Sequence, residues 1–129
     1  MRILHLTHNY PRHDGDLAGA FIERLVLAQA ALGHGVAVLT PSDAGAAGDV
    51  ARGGVTVHRV RYALARWETL AHTGTMASAL GSPAGLAAFA SLVTAQARAA
   101  RRIAKGGAAD LVHAHWWIPS GAGAWLARA

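Results

Sequence analysis

Short apolar runs alternate with longer amphipathic stretches along this chain. Arg2-Ile3-Leu4-His5-Leu6-Thr7 opens it with the pattern of a strand buried in a parallel sheet. A loop rich in Asn, Pro, Asp and Gly follows from His8 to Ala18. From about Gly19 to Leu32 the positions Phe21, Ile22, Leu25, Val26, Ala28, Gln29 and Leu32 trace a wide helical face, and Gly33 is placed to stop the helix. Val36-Ala37-Val38-Leu39-Thr40 predicts a second strand, ended by Pro41. Residues 41–54 are rich in Gly and Ala without clear periodicity. Val55-Thr56-Val57-His58-Arg59-Val60 predicts a third strand, and its polar alternation suggests a place nearer the sheet edge.

Residues 61–81 carry no clear element, and so long a connection in one domain points to a functional or mobile loop. Ser82-Pro83 then opens the best-defined helix, with Ser82 as N-cap and Pro83 at the first helical position. Leu86, Phe89, Val93, Ala97, Ala100 and Ala104 mark its apolar face, and Gly106-Gly107 ends it. Asp110 to His115 predicts a fourth strand. Pro119 to Gly123 turns into a last helix that runs to Ala129. Strands alternating with helices define an α/β class: a Rossmann-like parallel sheet, order 3-2-1-4, with helices on both faces.

Composition narrows the class. The 129 residues make one domain, and 53% hydrophobic against 15% charged residues is enough to build a core. Without cysteine there is no disulfide framework, thiolate metal site or thiol nucleophile. No run is long enough to span a bilayer, and the N-terminus lacks the long apolar core of a secretory signal, so the expected location is the cytoplasm.

Net charge is +5, and arginine supplies all but one of the twelve Lys+Arg. Arg98, Arg101, Arg102 and Lys105 gather on one side of the long helix, within an arc of roughly 100° at helical pitch. Such a face suits an anionic membrane surface; the other reading is a solvated helix end whose cations complement the dipole. Nucleic acid is not expected, because no aromatics interleave the cations and no binding motif is present.

In this order the switch point lies between the first and fourth strands, and ligands bind in the crevice at their carboxyl ends. The polar stretch His8–Gly19 and the aromatic stretch His113–Trp117 meet there. Gly19 at a helix start permits an anion to approach free N–H groups; alternatively Gly15 and Gly19 only shape the loop. Asp14 and Asp16 are either bases or turn residues. His113 and His115 share one strand face, but the nearby Asp110 faces the other side, so no metal is expected. His115 is the candidate for the crevice, with His113 the more structural of the two. Trp116 and Trp117 suit stacking on a sugar ring, or simple core filling.

Three segments in order carry a family resemblance: Arg2–Pro11; Gly19-Ala20-Phe21-Ile22 with Gly33-His34-Gly35-Val36-Ala37-Val38-Leu39-Thr40-Pro41; and Asp110-Leu111-Val112-His113-Ala114-His115-Trp116. Together they resemble the N-terminal, acceptor-side domain of retaining GT-B-fold glycosyltransferases, glycosyltransferase family four. The resemblance implies transfer of a sugar, of hexosyl type, from a nucleotide-sugar donor. The acceptor would be an envelope polysaccharide, glycolipid or small glycoside.

It also implies that the loop of Gly15, Asp16 and Gly19 lies over the donor phosphates and that His115 contacts the transferred sugar as the catalytic residue. His8, Asn9, Trp116 and Trp117 are then the candidates for acceptor or sugar contact. Neither metal nor cofactor is implied, and work at the inner membrane face fits the basic stripe. Asp16, Leu17 and Ala18 separate glycines that often adjoin in the family. The donor-binding domain of the family is not matched within these residues, so the chain alone is expected to be inactive: a fragment, a truncated product or part of a split enzyme. The alternative is a non-catalytic Rossmann-like binding module.

Overall fold

The computed structural model describes residues 1–44 and 46–128 of the chain. It is an α/β structure of β1 (Arg2–Leu6), α1 (Ala20–Ala31), β2 (Gly35–Pro41), β3 (Gly48–Arg52), β4 (Val55–Val60), α2 (Met76–Ala79), α3 (Pro83–Lys105), β5 (Leu111–Ala114) and α4 (Ala122–Ala127). The sheet order is β3-β4-β2-β1-β5. The four expected strands stand in the expected order and run parallel. Ala129, the expected end of the last helix, lies outside the described residues.

The fifth strand corrects the reading of residues 41–54. β3 pairs antiparallel with β4, Arg52 opposite Val55, across a tight turn. Gly53 and Gly54 make that turn with φ of 57° and 79°, the conformation a two-residue hairpin loop needs to match strand twist. β4 is therefore second from the edge. β3 escaped the sequence reading because a mostly exposed Gly-Asp-Val-Ala-Arg strand shows no apolar alternation.

Side-chain alternation along the strands divides the core. Val36, Val38, Val55 and Val57 pack with Ile22 and Val26 of α1 on one face. Leu4, Leu6 and Leu39 pack with Ala99 and Ala100 of α3 on the other. Full burial of one such aliphatic side chain contributes about 1.5–3 kcal/mol. The N-cap of α3 forms as read, with Ser82 Oγ accepting the Gly85 N–H at 3.1 Å.

The buried faces differ in detail from the pattern. α1 buries Ile22 and Val26, while Phe21, Leu25 and Leu32 stay exposed. α3 buries Leu92, Gln96 and Ala99 beside Val93, Ala97 and Ala100, while Leu86 is exposed. Amphipathic periodicity locates a stripe, but the crossing of helix over sheet decides how much of it is covered.

Residues 61–81 are anchored rather than structureless. Tyr62 and Leu70 pack on Leu92 of α3. Buried Glu68 accepts the Tyr62 N–H at 3.1 Å and pairs with Arg61 at 3.3 Å, and Tyr62 Oη accepts the Leu70 N–H at 3.0 Å. This segment carries His72 back to the end of the sheet, where its Nε2 donates to Pro41 O at 3.3 Å.

Candidate functional site

The site begins where β1 ends. Thr7 Oγ1 donates to Asn9 O at 2.9 Å, which turns the chain sharply out of the sheet. The loop is then held from several sides. Buried Arg59 donates to Pro11 O at 2.6 Å. Arg12 donates through Nε to Asp16 at 2.6 Å and through Nη1 to Asp43 at 3.1 Å. Asp16 also accepts the N–H groups of Arg12 and Ala18. The Arg12 guanidinium, followed by those backbone donors, holds the Asp16 carboxyl well below the usual carboxylate range. Asp14 pairs with Arg52 at 2.8 Å. Both aspartates are thus engaged by cations, which suits turn chemistry rather than a general base.

Gly15 and Gly19 have φ of 82° and 71°. At Gly19 a Cβ would meet Asn9 O at 2.6 Å, so the first residue ahead of α1 packs directly on the backbone leaving β1. The glycine sets α1 close beside the site, and Phe21 with it.

At the end of β5 the His115 N–H donates to Leu6 O at 2.8 Å, so the two strand ends stay side by side. Trp116 follows with φ of 73°, a strained value for a large side chain. Its ring lies edge-on to His8 at 5.7 Å and to Phe21 at 6.4 Å between centroids. The structure therefore joins His8 and Trp116, as the topology predicted, and adds Phe21, which periodicity had assigned to the core. Asn9 lies in the same turn, through its backbone bond to Thr7. Trp117 is almost fully exposed beyond them. Ala114, Trp116, Trp117, Ile118 and Trp125 line an open apolar hollow of about 610 Å³.

Several buried polar atoms lack a protein partner: His8 Nδ1 after β1, Thr40 Oγ1 near the end of β2, Ser42 Oγ just beyond it, His72 Nδ1 on the 61–81 segment and Ser120 Oγ after β5. Each such atom costs about 1–3 kcal/mol unless a ligand or water satisfies it. Burial pushes the His8 and His72 rings below the ordinary imidazole range, so both are neutral polar groups near pH 7.

His115 has a different set of neighbours. Its ring stacks on His113 at 4.4 Å, and its Nε2 lies 2.9 Å from Nδ1 of buried His5. His5 Nε2 lies 2.7 Å from Oε1 of Gln29 on α1. An amide oxygen only accepts, so His5 carries its proton on Nε2 and presents a bare Nδ1. His115 must then donate from Nε2, which leaves its own Nδ1 as an acceptor. Burial, then His113 and His5, push His115 down to about 4, so the ring is neutral and this tautomer chain persists at neutral pH. His113, expected to be the more structural histidine, is exposed, and His5 is the buried one instead. Asp110 pairs with Arg2, its Oδ2 accepting the Arg2 N–H at 2.7 Å, away from the three rings.

Sequence reasoning missed His5, Gln29, Phe21 and His72 as site residues. A histidine inside an otherwise apolar strand was the one visible signal. Its partners depend on the register His5 opposite His113 and on the path of α1, which packs over β2 and β4 and brings Gln29 to His5.

A mainly parallel α/β sheet with polar and aromatic groups gathered at the carboxyl ends of the neighbouring strands β1 and β5 is the arrangement of a ligand-binding Rossmann-like domain. A family model described as a glycosyl transferase 4-like domain matches residues 18–129, and the chain belongs to that glycosyltransferase family. No curated protein and no solved structure matches the chain. β1 and the loop bearing His8, Asn9, Gly15 and Asp16 precede the matched residues.

Proposed function

We propose that this chain is the acceptor-side part of a retaining GT-B glycosyltransferase that moves a hexosyl group from a nucleotide-sugar to an envelope polysaccharide, glycolipid or small glycoside. The observation that carries the reading is the meeting of His8, Trp116 and Phe21 beside His115 at the ends of β1 and β5, in a chain of this family. Aromatic faces pack on the C–H side of a sugar, and the unpartnered polar atoms nearby accept its hydroxyls. His115, with a bare Nδ1, accepts from a hydroxyl of the transferred sugar. The donor phosphates lie against the Gly15–Gly19 loop, where the Asp16 charge is already matched by Arg12.

Acceptor binding is testable on the chain itself. Titration with oligosaccharides and lipid-linked sugars should move the indole N–H resonances of Trp116 and Trp117 and leave Trp67, on the segment packed against α3, unchanged. Indoles that stay still across polysaccharide fragments, glycolipids and glycosides would remove the acceptor-side assignment. Nucleotide-sugars should bind much more weakly than to the chain joined to a donor domain.

Peripheral membrane attachment at the cytoplasmic face belongs to the same proposal. Arg98, Arg102 and Lys105 are exposed and Arg101 partly so, and among the described residues none of the four is in an ion pair. No helix of the described residues is long and apolar enough to cross a membrane. Four cations near an anionic bilayer give at most about 4 kcal/mol, which means reversible binding. Sedimentation with anionic vesicles should fall as salt rises from about 0.05 to 0.5 M, and after all four residues become Gln. Equal recovery on neutral vesicles would reduce the stripe to a solvated helix face.

A further inference from the structure

We propose that His5, His113 and His115 form a binding site for a divalent transition-metal ion, zinc above all. The three residues offer ligand nitrogens that all lie within 4.8 Å of one another. Backbone register produces the cluster: His5 pairs with His113 across β1 and β5, and His115 stands two residues along on the same face. None of this depends on the transferase reading.

The geometry is close to what an ion requires. Zinc–imidazole bonds of about 2.0–2.1 Å place two ligand nitrogens of a tetrahedral centre roughly 3.4 Å apart. His5 Nδ1 and His115 Nε2 stand at 2.9 Å, so the ion enters when the rings part by about half an ångström. The third ring supplies the larger movement. His113 is exposed and its ring is held by stacking on His115 and by a tilted contact with His5, so it turns about its side-chain bonds to bring a nitrogen in.

The support behind the ligands has the form of a metal centre. Gln29 Oε1 takes the Nε2 proton of His5 and aims its Nδ1 lone pair at the site, as outer-shell acceptors do for ligating imidazoles. Three imidazoles with no carboxylate among them favour Zn(II), Ni(II) or Cu(II) over the oxygen-seeking Mg(II) and Ca(II). One ligand is buried, one half-buried and one exposed, so the ion sits at the rim with a coordination position open to water or an exogenous ligand.

The proton balance is simple. The ion replaces the proton shared between His5 Nδ1 and His115 Nε2, and that proton moves to His115 Nδ1 as the ring changes tautomer. No proton leaves the protein. On the transferase reading the nitrogen that accepts a sugar hydroxyl in the metal-free chain then becomes a donor, so metal occupancy and that sugar contact would oppose each other.

The test is calorimetric titration of the 129-residue chain with Zn(II), and with Co(II) read by its visible ligand-field bands. One ion per chain is expected, at micromolar affinity or tighter, with tetrahedral-type cobalt bands and no heat with Mg(II). His113→Ala, at an exposed position, should keep the native circular dichroism and weaken zinc more than about 100-fold, beyond what loss of an outer-shell partner costs. Gln29→Leu should weaken it about 10–100-fold with all three ligands in place. His13→Ala, at an exposed loop histidine, should change nothing. Absence of saturable zinc binding, or equal affinity in the chain and in His113→Ala, would overturn the site, whatever the acceptor titration shows.

Discussion

Gly19→Ala should lower the stability of this domain by roughly 3–4 kcal/mol and its melting temperature by roughly 10 °C. Two costs combine. An L-residue at φ of 71° is in the left-handed region, a penalty of about 1–2 kcal/mol. The new methyl would also stand 2.6 Å from Asn9 O and 2.9 Å from its carbonyl carbon. Both are backbone atoms, in a turn already fixed by Thr7 Oγ1, so relief requires moving α1 or the end of β1. Gly15→Ala supplies the control: its φ is 82°, but a Cβ there meets nothing within 4 Å, so only the backbone cost of about 1 kcal/mol is expected. Thermal and urea unfolding of the two variants side by side separate strain from collision. Equal losses would show that the contact between α1 and the β1 turn does not matter. The functional reach of the collision is Phe21, which would be pulled from Trp116 as α1 shifts.

In the chain joined to a donor domain, His115→Ala should lower kcat about 100–1,000-fold, the usual loss when one donor or acceptor aimed at developing charge is removed. The donor KM should change far less, because on the proposed reading the contact would strengthen as the bond to the leaving phosphate breaks. The structure adds a second variant. His5 orients the His115 ring through the 2.9 Å contact and is itself oriented by Gln29. Gln29→Leu should therefore cost part of kcat, about tenfold, with KM unchanged, since outer-shell support is commonly worth that much. His113→Ala should leave metal-free turnover near normal, because that ring lies outside the relay from Gln29 to His115. Turnover unchanged in folded His115→Ala would end the catalytic assignment and leave the zinc titration to stand or fall by itself.

Local rules made much of this molecule legible in advance. β1, β2, β4 and β5 are short runs of apolar or β-branched residues between breakers, and their order follows from the general preference for right-handed crossovers rather than from any one residue. Ser82, Pro83, Gly106 and Gly107 delimit α3 because caps act within a few residues of themselves. The same locality explains why β3 was missed: its evidence lies in the Gly53-Gly54 turn and in pairing with β4, not in its own residues.

The site was legible as a place and much less as a set of side chains. Strand order alone brought the His8–Gly19 loop to the His113–Trp117 segment. Which rings touch was decided by quantities that no window of sequence contains. The register of β1 against β5 sets His5 opposite His113. The path of α1 over the sheet sends Gln29 inward to His5 and leaves Phe21 outward beside Trp116. Packing of residues 61–81 on α3 delivers His72 to the end of β2. A strand fixes alternate faces by its own geometry, whereas the neighbour on each face is chosen by long-range pairing and helix crossing, and therefore only by the folded chain.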